Sequence, residues 1–178
     1  MGYPGKNRKT YSRPRTPFQA ERIAAEVELV KSFGLRNKRE LWKAQAILRK
    51  YRHSSRMLLT SVAAGQTNPE VEAILNRLKK YGLLKEDGNL DAVLSMKVTD
   101  VLERRLQTQV YRQGLSNSMK QSRQFITHGH VQISGRRVTV PGYLVRRGEE
   151  MTIDYYAVSP MAKEGHPERA SRTPKVEG

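Results

Sequence analysis

The sequence predicts an α+β fold: a mostly helical N-terminal domain, then two helices packed on a small antiparallel sheet, with a disordered basic arm ahead of both. Three observations carry this. From Thr16 to His128 apolar side chains recur at helical spacing between capping and stopping residues. After Gly129 the apolar period falls to two. The first residues have neither period and interleave Pro and Gly with cations. The expected divisions are an arm over 1–15, a helical domain over 16–98, a mixed module over 99–156 and a tail over 157–178 that packs back in part on the helical domain.

In the arm, Lys6, Arg8, Lys9, Arg13 and Arg15 repel one another, so ordering requires a partner that neutralises them. Thr16-Pro17-Phe18-Gln19 predicts a helix start, with Thr16 as N-cap, Pro17 at the first helical position and Gln19 closing a capping box. Ile23, Val27, Leu29, Val30 and Phe33 form the apolar face, and Gly34 ends it. Asn37 opens a second helix with Glu40 as its capping partner, and Leu41, Ala44, Leu48 and Tyr51 share one face. The other face holds Lys38, Arg39, Lys43, Arg49, Lys50 and Arg52, with Arg36 just ahead of the cap. A solvated face normally mixes signs, and no acid follows Glu40 here, so this row points to phosphate. Trp42 reads as core rather than as a stacking platform.

Met57 to Ala64 predicts a separate short helix. Asn68-Pro69 starts a further one that buries Val71, Ile74, Leu75, Leu78 and Tyr81 and stops at Gly82, before a turn at Asp87-Gly88. Thr99 then caps a single helix with Leu102, Leu106 and Val110 on one face and Gly114 as its stop. Ser118 and Gln121 form a capping box for a helix that runs through Phe125 and Ile126 to His128. Val131, Ile133, Val138 and Val140 alternate about Ser134-Gly135, which predicts a hairpin with Arg136 and Arg137 at or just beyond its turn. Met151, Ile153 and Tyr155 predict a last strand.

The chain has 178 residues, with 33 Lys and Arg against 17 Asp and Glu, a net charge of +16. That length excludes a large multi-domain enzyme. Cysteine is absent, which removes disulfides, thiolate zinc sites and cysteine nucleophiles together. No stretch approaches the roughly 20 apolar residues that span a bilayer, and Met1 to Arg15 lacks the apolar core of a signal peptide, so a cytoplasmic location is expected. The charge is uneven: +11 over residues 1–59, −1 over 60–100, +6 over 101–150 and zero thereafter. Two basic blocks around a neutral segment imply a polyanion, and nucleic acid is the most abundant one. Charge by itself fits DNA, RNA or an anionic membrane.

Narrower signals come from Leu102-Glu103-Arg104-Arg105-Leu106, Ser122-Arg123-Gln124-Phe125-Ile126, His128-Gly129-His130-Val131 and Pro141-Gly142-Tyr143 with Val145 and Gly148. These resemble the αL RNA-binding domain at the centre of the small-subunit ribosomal protein four family. Thr16-Pro17-Phe18, Phe33 to Glu40 and Leu102 to Tyr111 extend the resemblance nearly end to end, in the archaeal and eukaryotic branch. The resemblance implies a constituent of the small ribosomal subunit that binds small-subunit ribosomal RNA directly and early, helping a multi-helix junction fold. It also implies a place near the path along which mRNA enters, contact with small-subunit ribosomal protein five and other small-subunit proteins, and an influence on decoding accuracy. No membrane and no small-molecule substrate is implied. The cysteines of zinc-bearing bacterial relatives are missing, so no metal or other cofactor is expected, and the tail is short and near neutral.

Matched to the family's RNA face, Arg104, Arg105, Lys120, Arg123, Gln124, His130, Arg136 and Arg137 are the implied contacts of the module. Arginine's planar fork spans two phosphate oxygens and stacks on bases, which suits a partner read by backbone and shape. His128 and His130 invite an acid–base reading, but one residue apart in a strand they face opposite sides, and no third ligand or positioned carboxylate is evident, so no catalytic residue is expected. An RNA-modifying or tRNA-charging enzyme can carry the same module, yet would append it to a catalytic domain. A helix-turn-helix on DNA leaves the hairpin and the arm unexplained.

Overall fold

The computed structural model describes residues 9–64, 69–163 and 165–169; Lys6, Arg8 and the tail beyond Arg169 lie outside them. Among the described residues, seven α-helices precede and flank a three-stranded antiparallel sheet. Residues 9–15 form neither helix nor strand. Helix α1 spans Ala20–Ser32, later than the Thr16 start that the capping pattern suggested. Thr16, Pro17 and Phe18 form a bend whose carbonyls are taken by Arg22, which donates from Nη2 to Thr16 O at 2.8 Å and to Pro17 O at 3.0 Å. No side chain caps α1 at Gln19; the guanidinium instead ties the preceding bend to the helix, and Phe18 is left 92 % exposed. Val27 is also exposed, so the buried face of α1 is carried by Leu29, Val30 and Phe33.

Helix α2, Lys38–Ala63, is one unbroken run of 26 residues. The expected separate helix at Met57 to Ala64 is its last two turns, because no Gly or Pro interrupts the ladder between Arg52 and Met57. Asn37 accepts from the Glu40 N–H at 3.2 Å, the expected cap. Leu41, Ala44 and Leu48 are buried on the predicted face. Helix α3, Pro69–Lys80, buries Leu78 fully and the rest of its apolar row in part, and Gly82 turns the chain with φ +64°. Helix α4, Leu90–Ser95, follows the Asp87-Gly88 turn.

The helix expected to start at Thr99 is two: α5, Val98–Glu103, with Lys97 at its N-cap, and α6, Leu106–Arg112. Between them the backbone turns its hydrogen bonds sideways. Leu106 N donates to Tyr143 O at 2.8 Å and Val145 N donates to Arg104 O at 2.9 Å, so residues 143–145 hold the break open as an antiparallel bridge. Long-range pairing here overrides local helix propensity. Leu102, Leu106 and Val110 are fully buried all the same.

Helix α7, Met119–His128, is capped by Ser118, which accepts from Gln121 N at 3.2 Å, while the Gln121 side chain accepts from Asn117 N rather than from the cap residue. Gly129 ends it at φ +78°. Strands β1, Val131–Ile133, and β2, Arg136–Arg137, pair with Ile133 opposite Arg136. Ser134 and Gly135 both take positive φ, as a two-residue hairpin turn of matching twist requires. Strand β3, Ile153–Tyr155, pairs on the far side of β1, giving the order β2-β1-β3. Met151, expected to begin that strand, sits in a one-turn 3₁₀ helix and is exposed.

Two apolar clusters result. The first gathers Phe33, Leu35, α2, Leu78, Val93, Met96 and, from α5, Val101 and Leu102. The second gathers Leu106, Val110, Phe125, Ile126 and the inward residues of β1 and β3. Each such side chain contributes about 1.5–3 kcal/mol on burial. The tail, expected to return to the helical domain, closes the second cluster among the described residues. Met161 is buried there, and Arg169 lies over the Tyr155 ring at 5.5 Å.

Candidate nucleic-acid interface

The break between α5 and α6 places two guanidiniums differently from what an RNA face would need. Arg105 is 7 % exposed and donates to Glu40 Oε2 at 2.9 Å. From α7, Arg123 donates to Oε1 of the same carboxylate at 2.7 Å and to Gln107 Oε1 at 3.3 Å. Glu40 therefore does not close a capping box at Asn37. Burial pushes its pKa up, but the hydrogen bond from Arg123 and the charges of Arg105 and Arg123 outweigh that and hold it below its ordinary value. Gln107, itself buried, donates to Gly34 O and to Met119 O, each at 2.9 Å. Together they tie the start of α2, the turn at Gly34 and the start of α7 into one seam. Arg104 is also engaged, with Glu150 at 2.6 Å and Val145 O at 3.0 Å. Sequence could not show this, since Glu40 and its two arginines are 65 and 83 residues apart.

Other members of the implied set stand outward. Lys120 and Gln124 are exposed on α7, Arg136 and Arg137 on β2, and none of the four side chains has a hydrogen bond or ion pair among the described residues. Arg137 lies so close over Gly129 that a Cβ there would meet its side chain at 3.0 Å. His130 is half-buried with Nδ1 2.8 Å from Ser159 Oγ. Burial, then the neighbouring His128 and His166, lowers its pKa. His128 and His130 do not face opposite sides. His128 ends a helix and Gly129 reverses the chain, so the two rings stack, 6.2 Å apart and 11° from parallel. Among the described residues no cluster of three or more His, Asp or Glu could hold a metal ion.

On the helical side, Arg36, Arg39, Lys43 and Lys50 are exposed and without an ion pair among the described residues. Lys38 is 3.3 Å from Glu26, Arg49 donates to Ser12 Oγ at 2.8 Å, and Arg52 donates to the carbonyl of Met96. Lys9, Arg13 and Arg15 are exposed. Trp42 is half-buried, its Nε1 donating to Glu26 at 3.1 Å and its ring 6.0 Å from Tyr11, so the indole anchors the arm against α2. Arg22 and Arg56 were not singled out in the sequence. Arg56 could have been, since Arg49, Arg52 and Arg56 recur at helical spacing on one face.

The charged surface thus sorts into cations turned inward by carboxylates at the seam and cations left free on α2, α7 and the hairpin. Residues 104–151 match the family model described as the S4 domain. The chain is 52 % identical over 176 residues to small ribosomal subunit protein uS4 of Methanococcoides burtonii, covering 97 % of this chain and 96 % of that one. It is 52 % identical over 177 residues to the uS4 of Methanoregula boonei, with coverage of 97 % and 96 %. To the uS4 of Halobacterium salinarum it is 51 % identical over 171 residues, covering 96 % and 98 %.

Proposed function

The chain belongs to the small ribosomal subunit protein uS4 family, and from that premise we propose that it is a structural, non-enzymatic constituent of the small ribosomal subunit that binds small-subunit ribosomal RNA directly. The observation that carries the reading is the match over nearly the whole of both chains, S4 domain included. The free cations supply the means. Arg36, Arg39, Lys43 and Lys50 form one exposed set, and Lys120, Arg136 and Arg137 another. Such surfaces bind folded RNA through phosphate and shape, since side chains cannot enter the narrow A-form major groove. The N-terminal amides of α7 near Ser118 and Met119 add donors for a phosphate.

The finer role follows the family resemblance. The protein binds ribosomal RNA early and helps a multi-helix junction fold, works within cytoplasmic ribosomes near the path along which mRNA enters, contacts small-subunit ribosomal protein five, and influences decoding accuracy. The RNA face in this reading is the outward set, while Arg105 and Arg123 hold the module to the helical domain through Glu40 and Arg104 is paired within the module. Filter binding across a salt series, with small-subunit ribosomal RNA, unrelated structured RNA and duplex DNA, tests it. Selective binding to the ribosomal RNA with a steep salt slope is expected, and equal affinity for all three would overturn it.

A further inference from the structure

Beside α1, the end of the arm and the middle of α2 enclose a cavity of about 450 Å³ that opens between Arg13, Arg22, Arg49, Arg52 and Arg56. Glu26 is the one carboxylate in its wall, and it is already engaged by Arg22, Lys38 and Trp42. Leu48 and Val98 line the cavity too and lower its local dielectric. Five guanidiniums around one occupied carboxylate repel one another in such a place. The Nε atoms of Arg22 and Arg52, like those of Arg104 and Arg105, are buried with no hydrogen-bond partner among the described residues, but only the first two border a cavity lined by further guanidiniums without an ion pair. Arg22 gives its other donors to Glu26 and to the carbonyls of Thr16 and Pro17, and Arg52 donates from Nη2 to the carbonyl of Met96.

We infer that this cavity is a phosphate receptor, filled by a phosphodiester of the bound RNA strand over which the arm folds. Resting on the RNA-binding reading, the inference names a subsite within it. The pocket's size suits one backbone phosphate with its ribose, and planar guanidiniums suit paired phosphate oxygens better than ammonium groups do. Ser12, held by Arg49, and Tyr11, against Trp42, bring the arm to the rim. Enclosure follows from the arm's placement, so Arg13 of the arm acts on the same anion as Arg49, Arg52 and Arg56 of α2.

The test compares two triple variants that remove the same charge: R13Q/R49Q/R56Q inside the cavity, and K31Q/K80Q/K85Q on exposed lysines outside it. Salt-dependent filter binding of the full chain to small-subunit ribosomal RNA should show the cavity variant losing about tenfold in affinity and about one unit of salt slope beyond the control, the signature of one lost phosphate contact. Equal losses in both variants would overturn the cavity while leaving RNA binding intact. Inorganic phosphate provides an arm independent of RNA. The Nε–H resonances of Arg22 and Arg52 should shift on its addition to the wild type and stay fixed in the cavity variant. Resonances unmoved in the wild type would overturn the receptor. Shifted resonances without selectivity for ribosomal RNA would instead overturn the functional reading and leave the anion site standing.

Discussion

At the seam, Arg105 and Arg123 share the carboxylate of Glu40; beside α1, Arg13, Arg22, Arg49, Arg52 and Arg56 surround a Glu26 that Lys38 and Trp42 also claim. The residue types are the same in both places. What differs is how many cations each carboxylate serves. At the seam Arg123 takes both Glu40 oxygens and Arg105 shares Oε2, while Gln107 supplies a further acceptor for Arg123, so the two charges are absorbed into packing although Arg105 Nε has no hydrogen-bond partner among the described residues. In the cavity five guanidiniums surround one carboxylate, so the cations outnumber the charge that could absorb them. An arginine's role in this chain is therefore set by its partners and not by its position in a basic run.

The comparison breaks hardest at Glu40. Glu40→Gln would leave Arg105 buried without a counter-charge and should cost about 3–5 kcal/mol, read as a drop in Tm, as expected when one member of a buried pair is removed. Its folded pKa lies below the ordinary 4.5, so the stability it contributes is present above that pH and is lost as pH falls through the lower folded value. The acid limb of stability between those values should flatten in the variant. An unchanged Tm would mean the seam does not hold the two clusters together.

Gly34→Ala strains the same seam through the backbone. Its φ of +56° disfavours a side chain, and a Cβ would approach Met119 Cβ to 2.7 Å, where neither backbone can easily yield. A loss of about 2–4 kcal/mol is expected by chemical denaturation, combining left-handed strain with overpacking. A variant as stable as the wild type would show that the turn at Gly34 can move away from α7.

The smallest change in stability should come from the outward set. Arg136→Ala with Arg137→Ala removes two exposed charges, so stability should hold within about 0.5 kcal/mol. Affinity for small-subunit ribosomal RNA should fall by about tenfold or more, and the salt slope by about two. A fall in Tm with unchanged affinity would place these two among the packing arginines instead.

Much of the architecture was legible from spacing and caps. Asn37, Ser118, Gly82, Gly129 and the Ser134-Gly135 turn act through their own residue chemistry over three or four positions, and the structure keeps each of them. Departures occur where distant chain intervenes. Residues 143–145 split a helix that local sequence would have continued, and Arg22 holds Thr16 and Pro17 by their carbonyls in a bend ahead of an α1 that no side chain caps. The site was legible as a charge distribution and a family pattern, but its division into inward and outward arginines was not. Arg104, Arg105 and Arg123 look like free cations in sequence because Glu150 and Glu40 reach them only across the fold.

By itself the sequence determined a basic α+β chain, because periodicity, caps and net charge are local or additive quantities, and the resemblance of its motifs added an S4-type module. Which cations meet the chain's own carboxylates and which stay available to an anion was decided only by tertiary structure. Pairing depends on distances of a few ångströms between residues far apart in the chain, and a Coulombic partner close enough to absorb a charge cannot be counted from composition.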